Sequence, residues 1–113
     1  MALVAPETVL PGYAYMVAGD AAPVDGIFIP ADIMPGLDST EAATETGSAS
    51  KVLFHILKAA TANYNALATA DRTTRMQMAR EAPIAVNPTL VTSRFTAAFG
   101  LDIGGDAVDL AAE

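Results

Sequence analysis

The chain has 113 residues, of which 52% are apolar and 17% charged, with a formal net charge of −7 and no cysteine. That length suits one domain, and an apolar share this high excludes a disordered polar chain, which lacks the surface whose burial offsets ordering entropy. Without cysteine there are no disulfides or thiolate metal sites, and six basic residues without a cluster argue against nucleic-acid binding, which depends on neutralising phosphates.

The charge is unevenly spread. Residues 1–50 hold seven acids (Glu7, Asp20, Asp25, Asp32, Asp38, Glu41, Glu45) and no lysine or arginine, whereas residues 51–113 hold six acids and six bases. Charged residues usually make up about a quarter of a globular domain, so part of this surface is expected to face protein rather than water. No stretch approaches the roughly 18 uninterrupted apolar residues of a membrane span. Pro6, Glu7 and Pro11 interrupt the N-terminus where a secretory leader needs a continuous apolar run. These features predict a protein synthesised in the cytoplasm that contacts neither nucleic acid nor membrane.

Residues 1–47 contain five of the seven prolines and five of the eight glycines, which forbids a long helix there. Residues 1–37 read as an extended arm with two short strands. Tyr13, Tyr15 and Val17 alternate with smaller residues in the first, and Ile27-Phe28-Ile29 form the second, with a loop from Ala18 to Val24 between them. Residues 38–47 read as a short helix entered through Asp38 or Ser39 and ended by Gly47. The main helix is expected from about Ser48 to Ala68. Leu53, Ile56, Leu57, Ala60, Tyr64 and Leu67 recur at spacings of three and four, giving one apolar stripe.

Beyond Arg72 the period changes to two. Met76, Met78 and Ala82 alternate with polar neighbours, and Val91, Phe95, Ala97, Phe99, Leu101 and Ile103 share one face of a longer strand. With Asn87-Pro88-Thr89 as the turn and a bulge near Pro83, residues 74–104 form a β-hairpin, followed by a tail over 105–113. The expected fold is α+β in a single domain over 1–113. One main amphipathic helix packs on a small antiparallel sheet built around the C-terminal hairpin, with an extended N-terminal arm. Leu57 and Phe99 would lie in the helix–hairpin core, and the N-terminal strands would join the same sheet.

Candidate chemistry is sparse. His55 is the sole histidine and lies beside Lys51 and Lys58, without the orienting carboxylate that a general base requires. There is no Gly-x-Ser-x-Gly elbow and no phosphate-binding glycine loop, so the chain is expected not to be an enzyme and to take no cofactor. Asp102, Asp106 and Asp109 surround Gly104-Gly105. A calcium site and an ordinary loop both fit, and the spacing departs from the EF-hand pattern, so no metal is assigned. Met16, Met34, Met76 and Met78 suit either an adaptable interface or core filling. Arg72, Arg75, Arg80 and Arg94 fall on the hairpin, opposite in sign to the first half. They read either as the complement of a neighbour's arm or as solvated strand faces with internal pairs. The predicted interface comprises Tyr13, Tyr15, Ile27, Phe28, Ile29, Arg75, Arg80 and Arg94.

The stretch Leu10-Pro11-Gly12-Tyr13, the run Ala70-Asp71-Arg72-Thr73-Thr74-Arg75-Met76 and the threonine-rich strand Thr92 to Ile103 resemble small virion accessory proteins of tailed phages. The resemblance implies a capsid-decorating or tail-associated structural role, incorporation in the virion and no catalysis. The function expected is therefore a self-associating structural subunit, a homo-oligomer or part of a larger protein assembly. The alternative is a small acidic module or inhibitor that binds a basic partner surface.

Overall fold

The computed structural model describes residues 4–19, 22–73 and 75–100. In chain order the elements are α1 (Pro6–Val9), β1 (Ala14–Met16), β2 (Gly26–Phe28), a 3-10 turn (Ala31–Ile33), α2 (Ala49–Asn65), a second 3-10 turn (Thr69–Asp71), β3 (Met76–Arg80), β4 (Ile84–Asn87), β5 (Leu90–Thr92) and β6 (Phe95–Phe99). The protein is α+β, with one main helix, small antiparallel sheets and a C-terminal hairpin set of strands. The chain divides into two compact units, Ala5–Asn63 and the residues from Tyr64 onward together with the first four.

In the first unit the prolines act through turns. Pro11-Gly12 and Pro35-Gly36 occupy the centres of two tight turns closed by Tyr13 N to Leu10 O (2.9 Å) and Leu37 N to Met34 O (3.1 Å). Both glycines have positive φ, +82° and +95°, as the third position of a type II turn requires. A side chain at Gly12 would also collide with the Pro30 ring. The first 37 residues are therefore not simply an extended arm, since they include α1 and a 3-10 turn. Met34, at the end of that 3-10 turn, is buried, and Asn63 Nδ2 of α2 donates to Val9 O.

Residues 38–47 form successive turns instead of the expected helix. The cap chemistry is present: Glu41 N donates to Asp38 Oδ1 and Asp38 N donates to Glu41 Oε1, a reciprocal capping box. What fails is propagation, because Thr44, Thr46 and Gly47 are weak helix formers and the chain folds back so that Ser48 N donates to Glu41 O. A side chain at Gly47 would overlap the carbonyl oxygens of Glu41 and Ala43. Helix α2 then starts where expected, with Ser48 Oγ accepting from Lys51 N (3.3 Å), and ends at Asn65, three residues early.

The covered face of α2 differs from the predicted stripe. Ala60, Thr61 and Tyr64 are buried and Ile56 half-buried, but Leu53 and Leu57 are exposed while His55 and Ala59 are partly covered. The stripe is rotated toward His55, so Leu57 is not a core residue. Thr61 is 4% exposed and its hydroxyl oxygen has no partner. Thr61→Val keeps the shape and removes that orphan group, so stability in urea titration should rise by about 1 kcal/mol. A loss of stability would show that the hydroxyl is bonded in solution.

The second unit begins at the end of α2. Tyr64 Oη lies 3.0 Å from Thr73 O and 2.8 Å from Met76 O, and Asn65 Nδ2 donates to Met78 O (3.0 Å). Arg72 donates through Nε to Leu67 O, just past the helix, and through a terminal nitrogen to Asn65 O, a carbonyl that the helix end leaves open. Strand β3 pairs with β6 and β4 with β5, so the hairpin forms as predicted, with its turn at Asn87–Leu90 and a register shift between Ala85 and Asn87. The ladder breaks around Pro83, bridged by Glu81 N to Arg94 O (2.9 Å). Strands β1 and β2 do not join this sheet. Among the described residues there are three sheets, each of two strands.

The alternating face of β6 is not buried as expected. Phe95 is half-buried, whereas Ala97, Phe99 and Val91 are exposed, so Phe99 is not a core residue either. Leu101, Ile103 and the tail lie outside the described residues. The apolar side chains that are buried, among the described residues, are Met34, Ala60 and Tyr64.

Candidate assembly interface

Two ribbons carry most of the exposed apolar surface. In the first, Tyr15 and Ile27 stand directly opposite one another across β1–β2 and are 64% and 59% exposed. Asp25 holds the connecting loop, accepting from Ala18 N (2.7 Å) and from Tyr15 Oη (3.3 Å), and Val17 and Val24 beside it are exposed. Phe28 is half exposed on the other face, and Tyr13 and Ile29 are partly covered at the ribbon's base. Of the five apolar residues predicted here, Tyr15, Ile27 and Phe28 are thus available to a partner.

The second ribbon is the hairpin. Its register places Met76, Met78 and Arg80 opposite Phe99, Ala97 and Phe95 on one face. The Arg80 guanidinium lies over the ring of Phe95, 5.3 Å from its centroid, in a cation–π contact that covers one face of the ring, and it donates to Ser93 Oγ (3.0 Å). Arg94 pairs with Glu81 at 3.3 Å, and Arg75 is exposed at the start of β3. At the tip every residue of β4 and β5 is exposed, including Ile84, Val86, Leu90 and Val91, each by more than half. Sequence reasoning missed this tip because it assigned Val91 to a buried face. The readable signal is an apolar run framed by Pro83 and Pro88.

Arg72 drops out of the predicted charge complement, since its guanidinium serves the end of α2. The methionines divide as well: Met34 is core, while Met16, Met76 and Met78 are half-buried.

Lys51 and Glu41 form an ion pair at 2.5 Å that ties the turn segment to the first turns of α2. The hydrogen bond from Lys51, then the Asp38 backbone N–H, hold the Glu41 carboxyl below its ordinary value, and Glu41 in turn raises the Lys51 ammonium. A lowered carboxyl stabilises the fold above its ordinary titration range and loses that contribution as pH falls through the lowered value. A raised ammonium stabilises below the ordinary lysine range and loses its contribution as pH rises beyond it. The pair is therefore complete at neutral pH. Unfolding curves of wild type and Lys51→Met should differ at neutral pH and converge as acid protonates Glu41. Curves that stay parallel into acid would show that the pair contributes nothing.

His55 is half-buried, edge-on to Phe54 (centroids 5.3 Å apart, planes at 79°). It lines a shallow hollow of about 200 Å³ with Ile33, Met34, Pro35 and Lys58, whose wall contains no carboxylate to orient it. Among the described residues no three His, Asp or Glu side chains gather as a metal site would need, and Asp102, Asp106 and Asp109 lie outside those residues. Among the described residues, too, no helix is long and apolar enough to cross a membrane.

Compared with protein-family models, with curated proteins and with solved structures, the chain has no match.

Proposed function

We propose that the protein is a non-catalytic structural subunit that completes its apolar burial by self-association. The observation that carries this reading is the hairpin tip, where Ile84, Val86, Leu90 and Val91 are all more than half exposed on a ribbon of only two strands. Scattered surface leucines need no explanation, but a contiguous apolar ribbon is the mark of a contact with protein. A two-stranded ribbon is also marginal in water and gains from pairing or packing. Virion incorporation, as a capsid-decorating or tail-associated component, is the setting that best suits such a subunit and agrees with the likeness of Leu10–Tyr13, Ala70–Met76 and the Thr92 strand to virion accessory proteins.

Sedimentation velocity of the purified chain between low and high micromolar concentration tests the reading. A discrete oligomer is expected, and its dissociation should depend little on salt, because apolar burial supplies most of the energy and exposed ion pairs little. A monomer throughout that range would reject self-association and leave the acidic binding module as the better account.

A further inference from the structure

We propose that the contact between copies is heterologous, with the β1–β2 ribbon of one copy seated on the hairpin of the next. The inference rests on the self-association reading and adds to it which surfaces meet. Charge decides between the arrangements. The β1–β2 ribbon, residues 14–28, holds Asp20 and Asp25 and no base, a net −2, whereas the hairpin, residues 75–100, holds Arg75, Arg80 and Arg94 against Glu81, a net +2; the four acids of residues 101–113 lie outside the described residues. An isologous contact would bring two hairpins of the same positive sign, or two ribbons of the same negative sign, against each other. A heterologous contact brings the acid-bearing ribbon, with Asp25 at its loop, to the arginine-bearing strands, and opposite potentials both steer the encounter and fix its register.

Shape and backbone agree with charge. Both surfaces are two-stranded ribbons with apolar faces, Tyr15 and Ile27 on one and Ile84 and Leu90 on the other. An outer strand of either ribbon also offers its edge for antiparallel pairing with the other. Because the two patches differ, each copy keeps one donor and one acceptor surface, and the assembly grows into a closed ring or an open row.

Two variants that each disable one surface test this. Tyr15→Ser with Ile27→Ser removes the ribbon contact, and Ile84→Ser with Leu90→Ser removes the hairpin contact. All four positions are exposed, so the far-UV circular dichroism of each variant should match wild type. Each variant alone should sediment as a monomer at concentrations where wild type assembles. Their equimolar mixture should give a one-to-one heterodimer, since one intact ribbon meets one intact hairpin. If the ribbon variant assembles like wild type, or the mixture stays monomeric, the heterologous contact is overturned while self-association stands. A monomeric wild type would overturn both. Should either pair of serines unfold the chain, the single substitutions Ile27→Ser and Leu90→Ser are read in the same way.

Discussion

Tyr64→Ala should destabilise the protein by about 3–5 kcal/mol, the range for truncating a large buried aromatic. Tyr64 is 2% exposed, and its ring is the largest side chain among the buried residues. Its hydroxyl sits within hydrogen-bond distance of two main-chain carbonyls, Thr73 O and Met76 O, and so ties the last turn of α2 to the chain entering β3. Tyr64→Phe separates the two contributions. The ring stays, the hydroxyl goes, and the single O–H donor shared between the two carbonyls is lost, which should cost about 1–3 kcal/mol. Guanidinium denaturation of the three proteins measures both steps. Total stability of a domain this size is about 5–15 kcal/mol, so the alanine variant should be largely unfolded at elevated temperature. If Tyr64→Phe is as stable as wild type, water satisfies those carbonyls and the hydroxyl is not a tie.

Met34→Ala should cost about 2–5 kcal/mol for the same reason in the other unit. Met34 is 6% exposed and directly precedes the Pro35-Gly36 turn, so its burial holds the proline-rich segment together with the Asn63–Val9 hydrogen bond. Loss should appear in denaturation monitored by proteolysis of residues 1–37, which would become cleavable under native conditions. Met34→Leu, close in volume, should cost less than about 1.5 kcal/mol. An alanine variant within about 0.5 kcal/mol of wild type would mean that the segment is held by its turns and not by this side chain.

The contrast between Met34 and Leu57 shows where sequence patterns carry information. Spacings of three and four in residues 53–67 determine that a helix forms, and Ser48 determines where it begins, because both are local properties of the backbone. The pattern does not determine the helix's phase. Alanines at 59, 60, 62 and 66 widen the apolar arc until either flank could face inward, and the structure covers His55 and Ala59 while leaving Leu53 and Leu57 in water. The assembly residues follow the same division. Tyr15, Ile27 and Phe28 are readable as an apolar strand pair bounded by Pro and Gly, but their exposure is not.

Local chemistry in the chain itself also fixed the hairpin, through two-residue alternation on either side of Asn87-Pro88-Thr89, whose Asn87 Oδ1 accepts from Thr89 N. It fixed the acidic first half as well, since charge is composition and needs no fold. Three-dimensional structure alone decided that, among the described residues, the six strands form three separate pairs and that Arg72 closes α2 instead of joining the exposed arginines. Each of these depends on a hydrogen bond to a main-chain group distant from the local pattern. Every residue offers the same carbonyl and amide, so the choice among them is written in tertiary geometry and not in side-chain identity.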